Sequence, residues 1–378
     1  MSVIRQENLN NMKIPFVDLK SQYESIKPEM DNAINRIISN TAFIGGNEVS
    51  EFEENFSKKY GVKHCISVGN GTDSLYIIMK MLGIGNGDEV ITPANSWISS
   101  SETISQAGAN PVFVDIEPEY YTMDPDKLES LINENTKAIM PVHLYGQMCD
   151  MDHIMAIAKK HNLFVIEDCA QSHFSEFNNQ RAGLIGIAGS FSFYPGKNLG
   201  AYGDAGAIIT NDDELAEKCR MYARHGALVK HEHKMEGINS RLDGIQAAVL
   251  NVKLKHILKW TDDRINNASK YDLHLRDIEE IRIPKIRPNT KHSFHLYVIR
   301  AEKRDKLADF LNENGIQTSV HYPTILPLLP AYNHLGFSEK DFSNSFEAQN
   351  EILSLPLYPE LQEEQIKYVA EKICDFFK

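Results

Sequence analysis

HCISVGNGTDSLYIIMKML (64–82) joins a five-residue apolar run, a glycine turn and a segment whose apolar residues recur at three-to-four spacing. That is a strand passing into a helix. The alternation continues to about residue 210, with apolar runs at EVITP (89–93), PVFVD (111–115), AIMPV (138–142), LFVIED (163–168), GSFSF (189–193) and GAIIT (206–210). The segments WISSSETISQA, PDKLESLINEN and MDHIMAIAKKH between them show helical spacing. Strands that are apolar without interruption, joined by helical crossovers, predict an α/β protein with a mainly parallel seven-stranded sheet covered on both faces.

Two helix-like segments, Tyr23 to Ser39 and Glu48 to Tyr60, precede this block. After it, a proline-free periodic stretch from Gly244 to about Leu275 predicts a long helix leading out of the sheet. The remainder mixes a strand-like run (Phe294 to Ile299), a helix (Lys303 to Asn314), a proline-rich loop (Pro323 to Pro330) and a closing helix from Gln362. The expected division is a large domain over residues 1–250, with the N-terminal helices, and a smaller α+β domain over 251–378. A length of 378 residues fits two domains at roughly 100–200 residues each.

The formal charge of −13 means that the average surface repels nucleic acid and anionic membranes, so any phosphate must be held by a local site. The N-terminal stretch MSVIRQENLNNMK has no apolar core, and no later stretch approaches the roughly 18 apolar residues of a membrane span. Five cysteines (Cys65, Cys149, Cys169, Cys219 and Cys374) without CxxC or Cys/His spacing argue against a disulfide framework or zinc knuckle. The expectation is a soluble, cytoplasmic protein.

Three segments carry chemistry. Gly69-Asn70-Gly71-Thr72 follows a strand and opens a helix, where free backbone amides and a threonine hydroxyl suit an anion. An ordinary helix cap explains it equally well when taken alone. The strand Phe164-Val165-Ile166-Glu167-Asp168 ends in carboxylates at the edge where open α/β sheets bind ligands, although Asp168 could simply cap a turn. Lys197 lies in the glycine-rich, otherwise uncharged Tyr194-Pro195-Gly196-Lys197-Asn198. Desolvation there would free its amine for a Schiff base; a solvated surface lysine is the plainer alternative. One cofactor uses all three features. Pyridoxal 5′-phosphate needs an anion cradle, a carboxylate for its ring nitrogen and a lysine for its aldehyde. Trp97, just past EVITP, can stack on the ring or belong to the core. GxGxxG and Walker sequences are absent, which disfavours a nicotinamide-dependent dehydrogenase.

The ordered set IPFVDL (14–19), GNGTDSL (69–75), DEVITPANSW (88–97), FVDIEP (113–118), PVHLYGQ (141–147), IEDCAQ (166–171), SFSFYPGKNLG (190–200), RHG (224–226), GINSRLDGIQAA (237–248) and HYP (321–323) resembles the DegT-type sugar-nucleotide aminotransferases. The resemblance implies a fold-type I pyridoxal-phosphate enzyme and a homodimer with active sites at the subunit interface. It makes Lys197 the Schiff-base lysine, Asp168 the ring-nitrogen partner and Gln171 the donor to the ring hydroxyl. It makes Gly71, Thr72 and Ser192 phosphate ligands and Trp97 the stacking ring, and it assigns Asn239 to the partner subunit's cofactor phosphate.

The implied reaction moves an amino group from a donor, L-glutamate in relatives, to a nucleotide-linked keto sugar. The motif run is most similar to enzymes that turn a dTDP-3-keto-6-deoxyhexose into the dTDP-3-amino-3,6-dideoxyhexose. Amination at carbon 4 and a non-catalytic sugar-nucleotide sensor stay as alternatives. Lys230, Arg241 and His321 are candidate cations for the diphosphate, or else ordinary surface and structural residues, and Tyr194 and Tyr322 complete the expected substrate-binding set. His231 and His233, two apart, would need a third ligand to hold a metal, so no metal is expected.

Overall fold

The computed structural model describes residues 12–378; residues 1–11, most of the N-terminal stretch read above as lacking an apolar core, lie outside the described part. Seven strands form one sheet: β1 (His64–Val68), β2 (Glu89–Pro93), β3 (Asn110–Val114), β4 (Thr136–Ile139), β5 (Phe164–Asp168), β6 (Ala188–Ser192) and β7 (Gly206–Thr210), in the order β1-β7-β6-β5-β4-β2-β3. The pairs β2–β3, β2–β4, β4–β5 and β5–β6 are parallel, whereas β7 is antiparallel to both β6 and β1. Six strands therefore share one direction, and β7 opposes them.

The uninterrupted apolar runs follow from coverage on both faces. Side chains alternate along a strand, and Ile91, Val165 and Ile209 enter the core on one face while their neighbours Val90, Ile166 and Ile208 enter the core on the other. The first face is covered by α2 (Asn47–Tyr60), which buries Val49, Phe52, Phe56 and Tyr60 at helical spacing, and by a later helix, Met151–His161. The second is covered by Gly71–Met81, Ser99–Ala107 and Asp213–Tyr222. With α1 (Leu19–Asn40), the helices in chain order are α3 (Gly71–Met81), α4 (Ser99–Ala107), α5 (Met151–His161), α6 (Asp213–Tyr222) and α7 (Gly244–Leu275).

The expected helix over PDKLESLINEN needs correction. Asp124 caps a single turn at Pro125–Leu128; a 3₁₀ turn follows, and the chain leaves extended at Ile132. Only Pro125 and Leu128 are fully buried; Leu131 and Ile132 pack on the core half-buried from the 3₁₀ turn and its extended exit.

The 32-residue α7 ties two cores together. Ala247, Leu250, Leu254 and Ile257 pack under the large sheet, whereas Ala268, Tyr271 and Leu275 pack against the C-terminal part, where Tyr271 stacks on Tyr297 at 4.9 Å between ring centroids. That part has a three-stranded antiparallel sheet (Ile281–Arg282, Tyr297–Ala301, Ile352–Leu355) with helices Arg304–Glu313, Ser343–Glu351 and Glu363–Phe377. Ile14 bridges to Ile316 and joins the same core. Residue 250 lies inside α7, in the half that packs under the large sheet. No helix among the described residues is long and apolar enough to cross a membrane.

Candidate active site

Because β1, β2, β5 and β6 point the same way, their C-terminal ends gather at one edge of the sheet. Antiparallel β7 begins at that edge. Its Gly206 pairs with Ser192 and Val68, and a side chain there would sit 2.4 Å from the Asn70 carbonyl carbon, so the turn after β1 can cross only over a glycine. That turn opens α3. The Asn70 side chain accepts the Asp73 amide (2.8 Å), whereas the amides of Gly71 and Thr72 have no carbonyl four residues back within the helix. Gly71 lies against Ser192; a Cβ on it would fall 2.7 Å from the Ser192 Cβ. Helix N-terminus, threonine hydroxyl and serine hydroxyl thus converge in one cradle with the partial positive charge that suits a phosphate.

The cradle is one end of a cavity of about 770 Å³ lined also by Asp168, Lys197 and Trp97. Strand alternation separates the two carboxylates that end β5. Glu167 accepts from His143 Nε2 (2.9 Å) and from the amides of Gly183 (2.8 Å), Ile185 (2.8 Å) and Gly186 (2.7 Å), and so fastens a turn. Among the described residues, His143, Glu167 and Cys169 are the one His/Cys/acid group close enough to hold a metal. Two of the three are already engaged, His143 Nδ1 accepting the Cys149 amide (3.2 Å) and Glu167 holding its turn, which is a structural use of the pair.

Asp168 faces the cavity. Its Oδ1 accepts the Ala170 amide (3.1 Å) and its Oδ2 the Ser100 hydroxyl (3.0 Å). Burial raises the carboxyl above its ordinary range, opposed by those two hydrogen bonds and by the charge of Lys197. Lys197 shifts the other way: burial lowers its amine to about 8, with Asp168 resisting. An amine poised to be neutral and a carboxylate that needs a cation share one chamber.

Of the residues singled out from sequence, Gly71, Thr72, Trp97, Asp168, Gln171, Ser192, Tyr194, Lys197, His321 and Tyr322 all line this cavity. Gln171 is held within the chain, with Oε1 accepting the Tyr145 amide (2.7 Å) and Nε2 donating to the Tyr322 hydroxyl (3.0 Å). Trp97 is 59 % exposed and lies 5.6 Å from the Tyr322 ring. Lys230, Asn239 and Arg241 are exposed and do not line the cavity. Between Asn239 and Arg241, Ser240 docks on the turn before α3, accepting the Gly69 amide (2.9 Å) and donating to Asp73 (2.6 Å).

His321 is largely buried: burial, with the Lys197 charge, lowers its imidazole to about 4. Reading the sequence missed Ser99, Ser100 and Arg264. Ser99 meets Thr72 (2.8 Å) and Ser100 meets Asp168; the run Ser99-Ser100-Ser101, opening a helix at the ligand edge, was the available signal. Arg264 lines the cavity yet donates to the carbonyls of Phe294 (3.3 Å), His295 (3.4 Å) and Leu357 (2.8 Å). Nothing in its polar surroundings on α7 marks it.

Residues 24–374 match the model of the DegT/DnrJ/EryC1/StrS aminotransferase family. The chain belongs to this family. A relative from Geobacillus stearothermophilus, named a pleiotropic regulatory protein, is 47% identical over 97% of this chain and 99% of its own. A dTDP-3-amino-3,6-dideoxy-alpha-D-galactopyranose transaminase from Aneurinibacillus thermoaerophilus is 43% identical over 95% of this chain and 98% of its own. The crystal structure of DesV from S. venezuelae in complex with a ketimine intermediate superposes with a TM-score of 0.95 at 38% identity, covering 97% of this chain and 99% of that one. The chain is thus a pyridoxal-phosphate-dependent sugar-nucleotide aminotransferase with the fold of its solved relatives. The cavity fits the cofactor, with an anion cradle that tolerates only glycine, a buried carboxylate and a desolvated amine.

Proposed function

We propose that this enzyme transfers the amino group of L-glutamate to carbon 3 of a dTDP-3-keto-6-deoxyhexose, giving the dTDP-3-amino-3,6-dideoxyhexose. Transamination is carried by Lys197 and Asp168 facing one cavity beside the α3 N-terminus, and the dTDP-3-amino sugar by the names of relatives such as the 43%-identical transaminase. Pyridoxal phosphate, when bound, supplies an aldehyde that takes up amine nitrogen and a cationic ring that absorbs the charge released at carbon. Gly71, Thr72 and Ser192 would hold its phosphate, Trp97 its ring face and Asp168 its ring-nitrogen proton, with Gln171 directed at the ring hydroxyl. Lys197 would hold the aldehyde and, once displaced by the donor, carry a proton to and from the reacting carbon. Burial keeps part of that amine neutral near pH 7, as a base must be.

We further propose a homodimer with shared sites, which is supported by the exposure of Asn239, Lys230 and Arg241 outside their own cavity. Asn239 would reach the partner's cofactor phosphate, and Lys230 and Arg241 the nucleotide diphosphate. Tyr194, His321 and Tyr322 would face the sugar, His321 as a neutral hydrogen-bonding group. Five unpaired cysteines support a cytoplasmic setting. A sugar-nucleotide sensor, which the name of the Geobacillus relative raises, would use the same pocket without turnover. Product analysis with glutamate and a panel of dTDP- and UDP-linked 3- and 4-keto sugars separates these readings. Amination of the dTDP-3-keto sugar supports the proposal, preference for a 4-keto or UDP-linked sugar replaces the substrate, and binding without product favours the sensor.

A further inference from the structure

We propose that Ser100, backed by Ser96, is a positioning residue that aims the Asp168 carboxylate into the cavity and keeps it charged toward the ring nitrogen of the cofactor. The inference rests on the role of Asp168 proposed above. Among the described residues each Asp168 oxygen has one donor, Ala170 N–H on Oδ1 and Ser100 O–H on Oδ2. The Ser100 hydroxyl has a single proton, and a carboxylate is its strongest nearby acceptor. Its oxygen then accepts from Ser96 Oγ at 2.8 Å, which gives the chain a direction, Ser96 to Ser100 to Asp168. Ser96 and Ser100 are 3% and 1% exposed, so water does not compete for these bonds.

Other serines of the same helix donate locally: Ser101 Oγ bonds the Ile98 carbonyl (3.1 Å). Ser100 instead spends its hydroxyl across the site, one residue after Ser99 meets Thr72 and three after Trp97. One helical turn therefore braces the cradle, the ring face and the carboxylate together. Without the Ser100 proton, Asp168 keeps one neutral donor in a buried place, and a proton shared with the ring nitrogen moves toward the carboxylate.

The test compares Ser100→Ala, Ser100→Thr and Ser96→Ala. The readouts are the ring-nitrogen NMR shift of bound ¹⁵N-pyridoxamine phosphate at fixed pH, its dissociation constant, and kcat. Ser100→Ala is expected to move the shift toward the unprotonated value and to lower kcat by roughly ten- to a hundredfold, as loss of a hydrogen bond to a charged group would. Ser100→Thr should restore both, and Ser96→Ala should show a smaller change of the same sign. An unchanged shift in Ser100→Ala, or a threonine variant as impaired as alanine, overturns the inference. If Ser100→Ala does not fold, Ser96→Ala decides: a shift toward the unprotonated value supports the chain, and none overturns it. Asp168→Asn tells the two layers apart, because a wild-type nitrogen shift in that variant removes the Asp168 role itself, whereas unchanged serine variants alone remove only this proposal.

Discussion

Lys197 offers the sharpest quantitative expectation. The neutral amine is the form that takes up an aldehyde, and burial lowers its pKa to about 8 from the usual 10.5. At pH 7 about one amine in ten is then neutral, against about one in three thousand for an ordinary lysine, a gain of roughly 300-fold. The rate at which pyridoxal phosphate attaches to the cofactor-free enzyme, followed by stopped-flow absorbance, should rise about tenfold per pH unit below about pH 8 and level off above it. Asp168 pulls the amine up, so Asp168→Asn should move the midpoint lower. Lys197→Ala should remove the dependence. A wild-type profile that keeps rising to about pH 10, as a solvated lysine would give, refutes the desolvation argument.

Three further outcomes follow from the same geometry. Gly71→Ala places a methyl 2.7 Å from Ser192 Cβ, so overpacking of about 1–3 kcal/mol should distort the cradle and weaken cofactor binding by tenfold or more in equilibrium dialysis; undiminished affinity contradicts the phosphate placement. The folded, cofactor-free protein binds fewer protons at Lys197 than the unfolded chain between about pH 8 and about pH 10.5, so this group makes stability rise with pH across that window, by at most about 3 kcal/mol. Urea unfolding should show the rise in wild type and its loss in Lys197→Met, and equal pH dependence in both would exclude it. Mixing inactive Lys197→Ala and Asn239→Ala subunits should regenerate one intact site per heterodimer, and confirmed exchange without recovered activity means that Asn239 serves its own chain.

The sheet was legible because both of its faces are covered: Val90 with Ile91 and Ile208 with Ile209 leave uninterrupted apolar runs that no half-exposed strand would carry. Helix α6 was not, since its buried residues are Leu215, Ala216, Cys219 and Met221 among charged ones. Within the site, residues whose chemistry is rare in their surroundings stood out, as Lys197 did among glycines. Glu167 and Asp168 looked alike in sequence, and only the alternation of β5 sends one to a turn and the other to the cavity. The burial of His321 was not legible, because it depends on packing between distant segments, including the stack on Phe16. Ser100 and Arg264 act through contacts 68 and 93 positions away, which no local pattern announces.

The most direct measurement supplies the purified enzyme with pyridoxal phosphate, ¹⁵N-glutamate and a dTDP-3-keto-6-deoxyhexose, and reads the nucleotide sugar by mass spectrometry. Nitrogen-15 on the sugar, with 2-oxoglutarate formed in equal amount and neither product from Lys197→Ala, is the expected result. Cofactor-loaded enzyme that leaves this sugar and every other keto sugar nucleotide of the panel unlabelled, or a Lys197→Ala variant that labels it at the wild-type rate, would contradict it.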